Sequence, residues 1–167
     1  MNFPYYCEFY TNNRLVNFFN KKLDFYKTQS SLWISPNSSS TINGIQTRNM
    51  LDFAEDDVKY KLKIIKTQIE KKCKIKFEYH WAHLIEYKNG GYQLIHTHDH
   101  NEDLSIILYL NDCSDGETVF HLNSKRNITH SCFPKKGKTI MFSSTVPHYA
   151  NHTFSNKKLL VLGFKIK

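Results

Sequence analysis

Phe77-Glu78-Tyr79-His80-Trp81-Ala82-His83-Leu84-Ile85-Glu86-Tyr87-Lys88-Asn89-Gly90-Gly91 is the stretch whose pattern decides the fold. Phe77, Tyr79, Trp81, His83, Ile85 and Tyr87 recur at every second position, a period of two that belongs to a strand with one face turned towards a core. Asn89-Gly90-Gly91 then predicts a hairpin turn. Beyond it, short apolar runs are separated by clusters of Asn, Asp, Gly, Ser and Pro. They predict strands at Tyr92 to Thr97, Leu104 to Leu110, Thr118 to Leu122, Thr139 to Phe142, His148 to Thr153 and Lys158 to Ile166.

Upstream of this stretch the period changes. Val58, Leu62, Ile65 and Ile69 form one apolar stripe, with the acidic run Glu55-Asp56-Asp57 before it and lysines after it, as a helix dipole favours. The spacing predicts a helix from about Glu55 to Cys73. Leu15, Phe18, Phe19 and Leu23 predict another helix in the first third of the chain, closed by a loop at Ser35 to Thr41. Helices followed by many short strands, without βαβ alternation, imply a mainly β double-sheet roll carrying helices on one side. The organisation expected is one domain, with residues 1–75 as a helical buttress and 76–167 as the β core.

A chain of 167 residues has room for one ordinary core, and 40% hydrophobic with 14% aromatic residues excludes a disordered tail or a fibre. No run of about 20 apolar residues offers a membrane span. Met1 to Tyr10 has neither the basic nor the apolar segment of an export signal, so a soluble, cytoplasmic protein is expected. Cys7, Cys73, Cys113 and Cys132 form no Cys-x-x-Cys pair, which argues against a zinc knuckle or a thiol redox motif. The net charge of +8 favours anionic partners and leaves a nucleic acid open. The lysines from Lys59 to Lys76 read equally as a solvated helix face. Richness in Asn, Lys and Ile fits an AT-rich genome, such as that of a phage.

The densest chemistry lies in His96-Thr97-His98-Asp99-His100. Residues two apart on a strand point to the same side, so His96 and His98 can aim at one point and form half of a metal site. His148, after Pro147 at the start of a later strand, can complete it from a facing strand of the roll. Three nitrogens with open positions suit a catalytic transition metal better than a closed structural zinc. Histidine clusters in loops are also often only solvated, and a cupin-like metal-binding module or a purely structural β protein are the alternatives.

From about Trp81 to Lys167 the chain resembles the Fe(II)/2-oxoglutarate-dependent dioxygenases, in particular their prolyl-4-hydroxylase-like branch and its short phage relatives. Tyr87-Lys88-Asn89-Gly90 leading to His96-Thr97-His98 is similar to that family's Tyr-x-x-Gly run before its H-x-D ligand pair. Ser105 to Asn111, Asp115-Gly116-Glu117-Thr118-Val119-Phe120 and Pro134 to Phe142 resemble its next strands, in its order. Pro147-His148 falls where its distal ligand should be. The resemblance implies a double-stranded β-helix (jelly-roll, cupin-like) fold and a hydroxylase that uses Fe(II), 2-oxoglutarate and O2 on a peptide or small molecule, a peptidyl proline being the candidate.

Carried over residue by residue, the resemblance makes His96 and His148 the iron-binding histidines, and it expects a basic residue nine to eleven positions after the latter for the far carboxylate of 2-oxoglutarate. Lys158 is selected, with Lys157 as the neighbouring alternative. Tyr109 and Ser105, four apart on one strand, are expected to add hydroxyls to that carboxylate. The chain departs from H-x-D at His98, so the expected third ligand is His98, which keeps the strand parity. Asp99, and after it Glu102 or Asp103, is the alternative. Trp81, Tyr87, Phe120 and Phe142 are expected to provide an aromatic lining.

Overall fold

The computed structural model describes residues 6–34, 41–98, 102–123 and 128–167. Ten strands and three α-helices follow one another: β1 (Tyr6–Tyr10), α1 (Asn13–Tyr26), β2 (Trp33–Ile34), β3 (Thr41–Thr47), α2 (Met50–Phe53), α3 (Asp56–Cys73), β4 (Phe77–His96), β5 (Leu104–Tyr109), β6 (Thr118–Asn123), β7 (Ile128–Cys132), β8 (Lys138–Ser143), β9 (His148–Thr153) and β10 (Lys157–Ile166). The strands run β1-β8-β5-β10-β4-β9-β6-β7, with β3 joined to β4 and β2 to β3, and every pairing is antiparallel.

β4 carries the architecture. Its first half pairs with β10, from Phe77 opposite Ile166 to Tyr87 opposite Lys157. Its second half pairs with β9, from Gly91 opposite Thr153 to His96 opposite His148. One continuous strand of 20 residues therefore passes from one sheet of the roll into the other. The hairpin predicted at Asn89-Gly90-Gly91 is not formed. The segment is a bulge inside β4, with Asn89 at φ 48° and Gly90 at φ 81°. Such backbone angles favour Asn and Gly, which explains why the sequence reads as a turn. A Cβ on Gly91 would lie 2.6 Å from the carbonyl oxygen of Asn43 in β3, so the bend also needs a residue without a side chain there.

The sheet holding β8, β5, β10 and the first half of β4 is buried on both faces. Outward, Ala82, Leu84, Ile106, Leu108, Leu160 and Leu162 meet Leu15, Val16, Phe19 and Leu23 of α1 and Val58, Leu62, Ile65 and Ile69 of α3. Inward, Ile85, Tyr87, Ile107, Tyr109, Phe142 and Leu159 pack with Phe120 of the second sheet. α3 starts one residue after the predicted position and ends where expected. Asp56 and Asp57 lie in its first turn, and it stops at Lys74 in the left-handed conformation. α1 is capped by Asn12, whose side chain accepts from the Arg14 amide at 2.7 Å.

The first third is less helical than its spacing predicts: β1 lies at the sheet edge against β8, and β2 and β3 precede the short α2. β7 was not predicted. Most of the loop expected at Ser35 to Thr41 lies outside the described residues, and Thr41 itself opens β3. Among the described residues, no helix is long and apolar enough to cross a membrane.

Phe19 is fully buried between α1 and the sheet, whereas Phe25 on the same helix is 48% exposed. Phe19→Ala is expected to lower the free energy of unfolding by about 3–5 kcal/mol. Phe25→Ala should change it by less than about 1 kcal/mol. Denaturant titration of both variants checks that α1 is fastened to the sheet by this one face.

Candidate metal centre

Neighbouring strands create the site. His96 is the last residue of β4 and His148 the first of β9, and the ladder sets them directly opposite each other. The two therefore come from adjacent, hydrogen-bonded strands and not from facing ones. His98 lies just past the end of β4, where its amide donates to the Ser144 carbonyl at 2.8 Å. The Nε2 of His98 is 3.1 Å from Nε2 of His96 and 3.3 Å from Nε2 of His148.

The rings of His96 and His148 are held by their other nitrogens. His96 Nδ1 lies 2.8 Å from the Leu94 carbonyl and His148 Nδ1 3.0 Å from the Val146 carbonyl. A carbonyl only accepts, so both rings donate from Nδ1–H and keep a lone pair on Nε2. His98 Nδ1 lies 2.9 Å from Oε1 of Glu102, a carboxylate that also only accepts. Three Nε2 atoms thus converge, and a cation among them would meet three donor nitrogens. With metal–nitrogen bonds of about 2.1 Å, two nitrogens in adjacent octahedral positions sit about 3.0 Å apart. The two Nε2 separations match that spacing, so the donor set fits a divalent transition metal.

Burial prepares the rings. His148 is 2% exposed. Desolvation holds it well below the ordinary imidazole range, with His96 and His98 adding to the effect. Desolvation also depresses His96 to about 4, against the opposing pull of the Leu94 carbonyl. Both are therefore neutral near pH 7, as metal ligation requires. Phe142 meets the His148 ring edge-on at 4.7 Å, and Phe120 stacks on it at 5.8 Å.

A cavity of about 300 Å³ opens beside the triad, lined among others by Trp81, His83, Ser105, Thr118, Phe142 and Leu159. Trp81 and Phe142 of the predicted aromatic lining face it, while Tyr87 and Phe120 are packed in the inner core. Ser105 Oγ is buried without a partner among the described residues. Tyr109 points inward on the same strand, and its hydroxyl donates to Thr118 Oγ1 at 2.7 Å. The two share a face as expected, but they do not share an end. Four residues of strand separate them by about 13 Å, so they cannot serve one carboxylate. Ser105 lies opposite Phe142 at the histidine end and Tyr109 opposite Leu159.

Lys158 does not face the cavity. It sits on the helix side of β10, and its Nζ is 3.1 Å from Asp24 of α1. Lys157 has the inward parity of Leu159 and is fully buried. Its Nζ donates to the Gly116 carbonyl at 2.7 Å and lies 4.6 Å above the Tyr87 ring. Among the described residues no carboxylate lies within ion-pair distance of it. Burial lowers this amine to about 8, with Cys113, Asp115 and Glu117 acting in the opposite sense. By the parity of β10 it is Lys157, the neighbouring alternative, and not Lys158 that faces inward.

Of the alternative third ligands, Asp99 lies outside the described residues, as does His100. Asp103 is turned away, accepting from the Ile166 amide at 2.9 Å. Glu102 approaches His98 from the side away from the triad, and its other oxygen accepts from Trp81 Nε1. The sequence reading missed this contact, as it missed His83 beside the cavity, whose Nδ1–H donates to the Thr47 carbonyl at 2.8 Å. The spacing of four between His98 and Glu102 was the available signal.

No protein-family profile and no curated protein sequence matches the chain. Solved structures do. A prolyl-4-hydroxylase from Pseudomonas putida superposes with a TM-score of 0.74 at 17% identity, over 98% of this chain and 93% of that one. The viral collagen prolyl hydroxylase of Paramecium Bursaria Chlorella virus-1, solved with 2-oxoglutarate, gives 0.69 at 17% identity over 98% and 97%. HygX from Streptomyces hygroscopicus, with nickel and 2-oxoglutarate bound, gives 0.74 at 10% identity over 98% and 84%. At these identities the likeness establishes the fold, a double-stranded β-helix.

Removing a ligand should cost more metal affinity than the roughly 10- to 100-fold typical of losing a ligand's supporting partner. His96→Ala, His98→Ala and His148→Ala are each expected to weaken Fe(II) binding by more than about 100-fold, with Asp99→Ala near wild type. Anaerobic calorimetric titration of the four variants checks the triad, and a larger loss in Asp99→Ala than in His98→Ala would reverse the assignment.

Proposed function

We propose that the protein is an Fe(II)- and 2-oxoglutarate-dependent oxygenase that hydroxylates a C–H bond, with a peptidyl proline as its substrate. The observation that carries this reading is two kinds of buried chemistry on the inner face of the roll: three imidazole nitrogens converge beside the cavity, and Lys157, two residues from cavity-lining Leu159 on the inward face of β10, is a buried ammonium with no carboxylate within ion-pair distance among the described residues. The fold is shared with a nickel and 2-oxoglutarate complex and with two proteins described as prolyl hydroxylases. Fold alone does not fix a substrate, so the proline rests on those two neighbours.

Each residue then has a task. His96, His98 and His148 hold Fe(II) through Nε2 and leave the remaining positions for 2-oxoglutarate and O2. Lys157 binds the far carboxylate of the co-substrate, which needs a charged donor to offset its desolvation. The Tyr109 and Thr118 hydroxyls, already hydrogen-bonded to each other, polarise that end. Ser105 offers a free hydroxyl at the metal end. Phe142 and apolar neighbours such as Leu159 keep water from the reacting centre. Iron and 2-oxoglutarate, when bound, supply the oxidising chemistry, and the protein contributes binding, orientation and a dry cavity.

Two measurements test this. Anaerobic addition of Fe(II) and then 2-oxoglutarate should produce the visible charge-transfer band of a chelate, which fades on admitting O2 as succinate forms. Tight metal binding without the band would instead favour a cupin-like metal-binding module. Lys157→Met should weaken 2-oxoglutarate binding about 10- to 100-fold, the loss of a charged hydrogen bond worth about 1.5–3 kcal/mol. Lys158→Ala should leave it unchanged. The free amine titrates at about 8. Below that pH Lys157 is already protonated and affinity should be level; above it a proton must be taken up on binding, so affinity should fall. A co-substrate titration across pH 7 to about 9.5 reads this slope, which Lys157→Met should abolish.

A further inference from the structure

The three ligand histidines are not supported alike. His96 and His148 donate from Nδ1 to neutral backbone carbonyls, whereas His98 faces a carboxylate, with Glu102 Oε1 2.9 Å from its Nδ1. That carboxylate is built in. Glu102 is 8% exposed, its second oxygen accepts from Trp81 Nε1, and its backbone carbonyl accepts from Ser144 Oγ at 2.5 Å. Space is reserved for it as well: a Cβ on Gly163 would come within 2.5 Å of Glu102 Oε2 and of Trp81 Nε1. Gly163, opposite Trp81, is the last residue of β10 before the register shift at which β4 carries His80 as an extra residue.

Iron sites with open positions commonly have two histidines and one carboxylate, which leaves the ion one negative charge. A ring of three neutral imidazoles provides none. We infer that Glu102 is the positioning residue of the metal centre: it fixes His98 with Nε2 facing the ion and supplies, one bond further out, the negative charge that the ligands lack. A carboxylate behind a ligating imidazole raises its basicity and holds its tautomer. Trp81 and Gly163 set Glu102 in place. The inference rests on the metal-site reading above and assigns no contact between Glu102 and the ion.

The test is a double-mutant cycle read by Co(II) binding, with calorimetry for affinity and the Co(II) d–d spectrum for the ligand field, on full-length protein. Glu102→Gln, similar in size but uncharged, should weaken Co(II) binding about 10- to 100-fold and alter the spectrum, with thermal unfolding of the metal-free variant checking its fold. In a His98→Asp background the carboxylate moves onto the metal, and Glu102 becomes a like charge behind it. There Glu102→Gln should be neutral or tighten binding, a reversal that a merely structural role would not produce. Should Glu102→Gln fold poorly, Glu102→Asp keeps the charge but draws it back from Nδ1 and should still lose several-fold. Wild-type affinity in Glu102→Gln, together with loss in His98→Ala, would overturn the role of Glu102 and leave the triad intact. Failure of the wild-type protein to bind Co(II), or wild-type affinity in His98→Ala, would overturn the metal centre and this role with it.

Discussion

A strand paired along its first half to β10 and along its second to β9 must leave one sheet and enter the other while keeping its ladder. β4 does this through two left-handed residues, Asn89 and Gly90, and through Gly91, whose missing side chain lets the Asn43 carbonyl approach. β3 bridges the bend and is itself irregular there, between Ile42 and Gly44. The position of the site follows from this. Only because β4 arrives in the second sheet does its last residue, His96, stand across the ladder from His148. The chain then needs just two more residues to bring His98 into range of both.

Burial has opposite consequences at the histidines and at Lys157. At the histidine end it keeps His96 and His148 neutral, which a cation needs and an anion does not. Along β10 it leaves Lys157 as an ammonium with a backbone carbonyl and an aromatic face for company, which suits an anion. A ligand that chelates a metal at one end and carries a carboxylate at the other satisfies both ends at once. Neither metal nor carboxylate alone would do so.

How much of this was legible in the sequence depended on whether a strand was buried on one face or two. From Trp81 to Tyr87 the period of two gave the inward face correctly, Trp81, His83, Ile85 and Tyr87 included, but the register shift at His80 turns Phe77 and Tyr79 to the outer face, against α3, where the expectation of one shared face fails. β10 gave no such signal: Leu159, Leu160, Val161 and Leu162 are apolar on both faces, because the outer face is covered by α1 and α3. Parity was therefore unreadable, and Lys157 and Lys158 could be told apart only in three dimensions. The triad was readable because strand parity and the residue types converged on it. Glu102 showed only as a spacing of four from His98, since its contact with Trp81, far back along β4, is set in three dimensions. β1 and β7, at the sheet edges, carry no clear apolar run or alternation.

The loop that brings Glu102 to His98 is clamped from several sides. Asp103 donates its amide to the Phe164 carbonyl and accepts the Ser144 amide at its own carbonyl, while its side chain takes the Ile166 amide. Ser144 also anchors His98 and Glu102 through their backbones. The β4–β5 connection is thus tied to β10 and to the turn after β8 at the points that carry the site. Immobilising a free side chain on binding costs about 0.5–1.5 kcal/mol. Here His96 and His148 are already fixed through Nδ1 and His98 through its backbone amide, so much of that cost is met in folding. Preorganisation of this kind lets three imidazole nitrogens converge before any ion arrives, and the packing that holds α1 and α3 against the sheet is what sustains it.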